Sequence, residues 1–183
     1  LADVLDLGAL DSLHLVLGGD GFLLRTVSSH GLDTPYLGLS CGTLGFLMNE
    51  VPSSIERLAT LLQDRRWRIM EHPLLEADLV CVNGETCREQ AINDVGLFRA
   101  GGHACKLRIA VDDQVVVECM SGDGLLVATA LGSTGYSFSA GGMPHHPEVP
   151  TLLMTPICPH RPKLSPVALP MHSVVQVEVL NAD

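Results

Sequence analysis

An apolar run that ends on glycines fixes how this chain begins to fold. Leu13–Leu17 reads as a buried strand, Gly18-Gly19-Asp20-Gly21 interrupts it, and Phe22–Ser29 follows as a helix. Strand, glycine turn and helix in that order open an α/β unit, and ligands bind at the C-terminal edge of such a strand. The glycines allow close backbone approach and leave amide N–H groups free for a phosphate. Asp20 would repel a bare phosphate. It therefore asks for a hydroxyl to deprotonate or a cation to hold, the alternative being an acid that caps the following helix.

The same rhythm continues to about residue 72. Tyr36–Leu39 is a second short strand, and Cys41-Gly42-Thr43-Leu44-Gly45-Phe46-Leu47 follows it. Pro52 opens a helix over Ser53–Gln63 with Ile55, Leu58, Ala59 and Leu62 on one face. After Arg66 the pattern shortens. Strands are expected at Arg66–Glu71, Leu79–Val82, Ala91–Phe98, Ala104–Val111, Val115–Cys119 and Asp123–Thr129, with turns at Asn83-Gly84 and Asp112-Asp113. Leu131–Ala140, rich in Gly and Ser, is ambiguous and has room for a short helix. Pro144–Pro150 is a loop, and alternation returns from Val174 to Leu180. The reading is an α/β domain over residues 1–72 and a β-rich domain over 73–183.

Charge narrows the partners. Asp and Glu number 21 against 11 Lys and Arg, a formal net charge of −10, and no Lys or Arg lies between Ile109 and His160. Nucleic-acid binding needs clustered cations, so it is not expected. No apolar run approaches 18 residues, so no membrane-spanning helix is expected either. Six cysteines without a C-x-x-C pair suit a reduced, cytoplasmic protein. The chain opens on Leu1 rather than Met, as a fragment would.

Several residues carry chemistry. The glycine turn is neither a Walker A loop nor G-x-G-x-x-G, since no Gly-Lys-Ser/Thr follows and Leu24 stands at the third glycine position. A triphosphate would then rely on backbone amides, Mg²⁺ and an arginine such as Arg25, which is equally readable as a solvated helix residue. Asn93-Asp94 sets two polar groups side by side in a strand-like run; either a ligand or a local turn receives them. Asp123 stands between Gly122 and Gly124. Thr129–Ser137 then offers hydroxyls and amides, with Tyr136 able to stack on a base. His145-His146 lacks a third ligand at a sensible spacing, so no resident metal site is expected. A triad of Ser133, His160 and Asp123 can be drawn on paper, but no G-x-S-x-G supports hydrolysis.

Taken together the motifs resemble the NAD kinase family, which uses ATP or polyphosphate, and look nearest to its proteobacterial members. The resemblance rests on Gly18-Gly19-Asp20-Gly21, Gly42-Thr43-Leu44-Gly45-Phe46-Leu47, Asn93-Asp94, Asp123-Gly124-Leu125, Gly132-Ser133-Thr134-Gly135-Tyr136-Ser137, Ser139-Ala140-Gly141-Gly142 and Pro156-Ile157-Cys158-Pro159-His160, in family order. It implies phosphorylation of the 2′-hydroxyl of the adenosine ribose of NAD to give NADP, with Mg²⁺ accompanying the donor. By that analogy Asp20 is the base or orienter of the hydroxyl, Gly19 and Gly21 lie by the phosphates, and Phe46 borders the pocket. Asn93 and Asp94 grip a ribose diol, and Asp123 holds the other end of NAD. Thr134, Gly135, Tyr136 and Ser137 form the adenine-binding stretch, with His160 near the active site. The implied fold is a Rossmann-like α/β domain and a β-sandwich-like domain with the site in the cleft between them, assembled as a homodimer or homotetramer.

The chain departs from the family in places. Ala130 stands where a proline is usual, which removes a fixed φ and should loosen the loop. Gly135 replaces an alanine, and Asp94 is one methylene shorter than the common Glu. The strand and helix that normally precede the glycine turn are not evident, nor is a C-terminal return segment, so the α/β domain reads as truncated. Two other functions stay open on the residues: a lipid or sphingoid-type kinase sharing the Gly-Gly-Asp-Gly turn, and a catalytically weak relative that binds NAD or NADP.

Overall fold

The computed structural model describes residues 12–42, 45–64 and 67–181. The chain divides into two compact units, one ending at Glu71 and the other starting at His72. In the first, β1 (His14–Gly18) and β2 (Tyr36–Ser40) pair in parallel with Val16 opposite Gly38, and α1 (Asp20–His30) connects them. Gly38 is required for close packing. A Cβ there would meet Met48 Sδ at 2.5 Å and Leu23 Cδ2 at 3.3 Å, so the bare backbone lets both side chains settle on β2. Among the described residues of this unit, Val16, Leu23 and Leu39 are the buried apolar side chains. α1 stops at Gly31, whose φ of 85° is open to glycine and whose N–H bonds Val27 O. α2 (Ile55–Gln63) starts after Ser54, whose hydroxyl accepts from Arg57 N at 3.2 Å. Its apolar face is only partly covered among the described residues: Leu58 and Leu62 are half-buried, whereas Ile55 is 81% exposed.

The second unit is antiparallel throughout. β3 (Leu75–Val80) and β4 (Thr86–Ala91) form a hairpin across Asn83-Gly84, with Gly84 at φ 83°. A four-stranded sheet runs β10 (Val167–Pro170), β9 (Thr151–Ile157), β8 (Gly124–Thr129), β5 (Asp94–Phe98), and a three-stranded sheet runs β11 (Val175–Val179), β6 (Cys105–Val111), β7 (Gln114–Gly122). Cys105, Leu107, Ile109 and Met120 from the three-stranded sheet pack with Leu125 and Met154 from the other, which makes the core that of a sandwich. Asp112 and Asp113 turn β6 into β7 with φ of 49° and 63°, both in the left-handed region that a two-residue hairpin demands. Val174 N donates to the Asp112 carboxylate and the Gln176 amide to that of Asp113, so the turn is also bound to β11.

Three expectations change. Trp67–Glu71 form no strand, and Arg66 lies outside the described residues; alternation marks a face but supplies no partner to pair with. The single strand expected over Ala91–Phe98 is two, β4 and β5, broken at Ile92-Asn93 because their carbonyls turn to Thr129. β9, unread in the sequence, is the most deeply buried strand, its Leu152-Leu153-Met154 run lacking alternation because both faces are covered. The short helical stretch is a 3₁₀ turn, Leu131–Thr134, followed by α3 (Tyr136–Ser139). No helix among the described residues is long and apolar enough to cross a membrane.

Candidate functional site

In the first unit the site is built on the ends of two parallel strands. β1 ends at Gly18, and α1 begins at Asp20 with Gly19 as its N-cap, which makes no side-chain cap bond. The helix-capping alternative for Asp20 therefore gives way to a longer-range contact. One Asp20 oxygen, Oδ2, accepts the amide of Phe46 at 2.8 Å, and Oδ1 accepts that of Leu47 at 3.1 Å. Gly45 permits this, since a Cβ there would stand 3.0 Å from Asp20 Oδ1. Among the described residues each carboxylate oxygen takes one donor, and its second lone pair is left for another. Phe46 is 63% exposed. None of the described residues lies within 4 Å of where a Gly19 side chain would be, and the Arg25 guanidinium comes within 3.5 Å of the same point on Gly21. An open depression of about 370 Å³, lined by Ser40, Gly42, Gly45, Met48, Asn49, Glu50 and Val51, adjoins the loop that Asp20 holds. Thr43 and Leu44 lie outside the described residues.

In the second unit Asn93, Asp94, Thr134, Gly135 and Tyr136 come together where β5 begins and β8 ends. Thr129 is the fastener. Its N–H donates to Asn93 O at 2.8 Å, its hydroxyl to Ile92 O at 2.8 Å, and it accepts the Gly132 amide at 3.0 Å. The 3₁₀ turn is thereby pressed onto Asn93, and a side chain at Gly135 would begin 3.5 Å from Asn93 Nδ2 and 3.8 Å from Asp94 Oδ2. Asn93 Oδ1 is buried and has no hydrogen-bond partner among the described residues. An orphaned buried acceptor costs stability unless something donates to it, and a ligand would. Ala130 holds φ −57° without the ring of a proline, within the range a proline would impose there. Tyr136 is half-exposed, whereas Ser137 is fully buried with its hydroxyl 2.9 Å from Thr155 Oγ1.

Asp94 is half-buried, and no cation or hydrogen-bond donor accompanies it among the described residues; burial raises its pKa above the ordinary aspartate value. An acid whose pKa is higher folded than unfolded binds more protons in the folded chain. Stability then falls as pH rises through the window between the two values, and the penalty is complete above it. Asp94→Asn is expected to melt at a higher temperature than the wild type at pH 7, the gap closing below about pH 4. Thermal melts of both proteins across that range check it.

Asp123 and His160 sit elsewhere in this unit. Phe98 pairs with Gly124 and Asp94 with Ala128, which puts Asp123 at the opposite end of β8, about 17 Å along the strand from Ala128. There Arg99 Nε reaches Asp123 Oδ1 at 2.6 Å, Asp123 N donates to Ile157 O, and His160 N donates to Ser121 O. Ser133 follows the far end of β8, fully buried, its hydroxyl spent on the His145 backbone. The paper triad of Ser133, His160 and Asp123 is thus not assembled. Among the described residues no group of three or more His, Cys, Asp or Glu stands close enough to hold a metal ion. Arg99 and Phe98 were not singled out from sequence. Thr129 was read there only as the first residue of the hydroxyl-rich Thr129–Ser137 run, and its bond to Ile92 is met only in the fold.

Residues 92–183 match the ATP-NAD kinase C-terminal domain family. NAD kinase of Mesorhizobium japonicum is 41% identical over 152 residues, covering 81% of this chain and 57% of that protein. That of Rhizobium meliloti is 40% identical over 172 residues, covering 92% and 65%, and that of Clostridium perfringens 35% over 182 residues, covering 97% and 64%. The chain therefore spans roughly three-fifths of these relatives. Yeast NADH kinase, solved with NADH, superposes with a TM-score of 0.82 at 34% identity, over 91% of this chain and 50% of that one. An Archaeoglobus fulgidus NAD kinase solved with ATP gives 0.71 at 25% identity, over 91% and 64%. On its motifs, its fold and these matches, the chain belongs to the ATP-NAD kinase family.

Proposed function

We propose that this chain transfers the γ-phosphoryl group of ATP to the 2′-hydroxyl of the adenosine ribose of NAD, giving NADP and ADP. The observation that carries the reading is Asp20, a carboxylate fixed at a glycine turn by two backbone amides, one to each oxygen. In the step, the 2′-O–H proton passes to Asp20, the 2′-oxygen bonds to the γ-phosphorus, and the bond from that phosphorus to the β-phosphate oxygen breaks. Phosphoryl transfer leaves little covalent work for a protein beyond such positioning and charge compensation. Gly19 and Gly21 offer backbone to the phosphates, and Arg25 lies over Gly21 as the nearby cation.

Roles in the second unit follow from its polar corner. Asn93 and Asp94 take the hydroxyls of a ribose, the orphaned Asn93 Oδ1 as acceptor, while Gly135 leaves the approach clear and Thr134 and Tyr136 border the base. Ser137 supports them from beneath through Thr155. Asp123 and His160 serve the far end of the dinucleotide. Mg²⁺ fits as an ion carried on the donor's phosphates, which needs one or two carboxylates rather than a protein cage. A cytoplasmic homodimer or homotetramer is part of the same reading. The full chain, given NAD, ATP and Mg²⁺, is expected to accumulate NADP in an assay coupled to an NADP-specific dehydrogenase, with a parallel polyphosphate arm reporting the donor. Bound NADP without any formed would instead mark a binding protein.

A further inference from the structure

Asp94, Gly96 and Phe98 alternate along β5 and so share one face of the strand. Gly96 leaves the middle of that face bare. A Cβ there would come within 2.7 Å of Phe98 Cζ and 2.9 Å of Leu126 Cδ2, because the Phe98 ring folds back over the opening. In that position it stacks on the Tyr136 ring, with centroids 5.6 Å apart and planes 17° from parallel. The spacing and tilt are those of an offset aromatic pair. Both rings remain open to solvent, Phe98 at 46% and Tyr136 at 50%. Tyr136 directly follows Gly135, whose Cβ position lies 3.5 Å from Asn93 Nδ2 and 3.8 Å from Asp94 Oδ2. A polar end suited to a sugar and an aromatic end suited to a base thus adjoin on one surface.

We infer that Phe98 is a specificity-determining residue: with Tyr136 it forms a two-ring stack on which a planar base of NAD lies, in a space that Gly96 opens. The inference rests on the NAD-binding reading above. A lone tyrosine on a four-residue helix has free choice of ring orientation, and Phe98 removes that choice before the ligand arrives. Preorganisation of this kind raises affinity without touching the reacting atoms.

Steady-state kinetics and calorimetric NAD binding on the full chain test it, using Phe98→Ala, Phe98→Leu, Phe98→Tyr and Gly96→Ala. Phe98→Ala and Phe98→Leu are expected to raise both KM and Kd for NAD about 3- to 10-fold. The value of kcat stays within about twofold, and KM for ATP does not move. Phe98→Tyr keeps the ring and restores the wild-type constants, whereas Gly96→Ala pushes the ring aside and reproduces Phe98→Leu. A structural role would lower the melting temperature of Phe98→Leu and Gly96→Ala without this split. If wild type takes up NAD and Phe98→Leu matches it, or if only KM for ATP rises, the stack is overturned and the NAD reading survives. If wild type takes up no NAD, both fall together.

Discussion

Asp20→Asn lowers the rate of NADP formation by at least about 10²-fold, the usual scale for losing a positioned proton acceptor. KM for NAD changes modestly. The substitution is a demanding test because the side chain has two jobs. Asparagine can still accept the amide of Phe46 or that of Leu47, but it then turns an NH₂ toward the other N–H, where aspartate offered an acceptor to each. Some loosening of the Gly45–Leu47 segment is therefore expected, and a melting curve measures it. Loosening alone would raise KM, whereas loss of the acceptor appears in kcat. A variant that turns over within tenfold of wild type would remove Asp20 from the chemistry and leave it as a clamp between two loops.

Gly132→Ala has the largest expected effect on stability. The 3₁₀ turn lies directly on the backbone of Asn93, with Asn93 Cα 2.7 Å from the place a methyl group would occupy and the Asn93 carbonyl oxygen closer still. Backbone cannot swing away as the tip of a side chain can, and here it is also held by Thr129 through two carbonyls. Inserting the methyl is expected to cost about 2–3 kcal/mol, at the upper end of overpacking penalties, read as a fall in the urea midpoint. Gly19→Ala is the matched control, since none of the described residues lies within 4 Å of that position. What Gly132→Ala retains of its fold should bind NAD poorly, because Asn93 and Asp94 are the groups displaced.

The strand expected as buried over Leu13–Leu17 keeps only Val16 buried, between exposed Leu15 and Leu17, and the helix expected from Ser53 starts at Ile55 behind the Ser54 cap. The Asn83-Gly84 and Asp112-Asp113 turns left their chemistry in adjacent residues. β9 did not, because a strand covered on both sides loses the alternation that announces a strand. The glycine turn and the Asn93-Asp94 pair stood out in the sequence as candidates for a ligand. The partners of Asp20 did not: the amides of Phe46 and Leu47 are met only after β1 and β2 have paired, and no spacing encodes that meeting. Phe98 escaped for a similar reason. Its role depends on an absent side chain two residues earlier and on a ring far along the chain, and at the end of a strand a phenylalanine looks like any other.

The way β11 is attached has a consequence for biosynthesis. Residues 175–179 pair with 107–111, their Val175 and Val177 lie on the core cluster, and the carboxylates of Asp112 and Asp113 are tied to this strand. As a ribosome extrudes the chain, β6 and β7 emerge early, yet one border of β6 stays unsatisfied until β11 leaves the exit tunnel. Throughout that interval the nascent sheet presents a bare rim to neighbouring polypeptides. The polar hairpin tip with its two acids is what the nascent chain then holds out toward its own late-arriving strand.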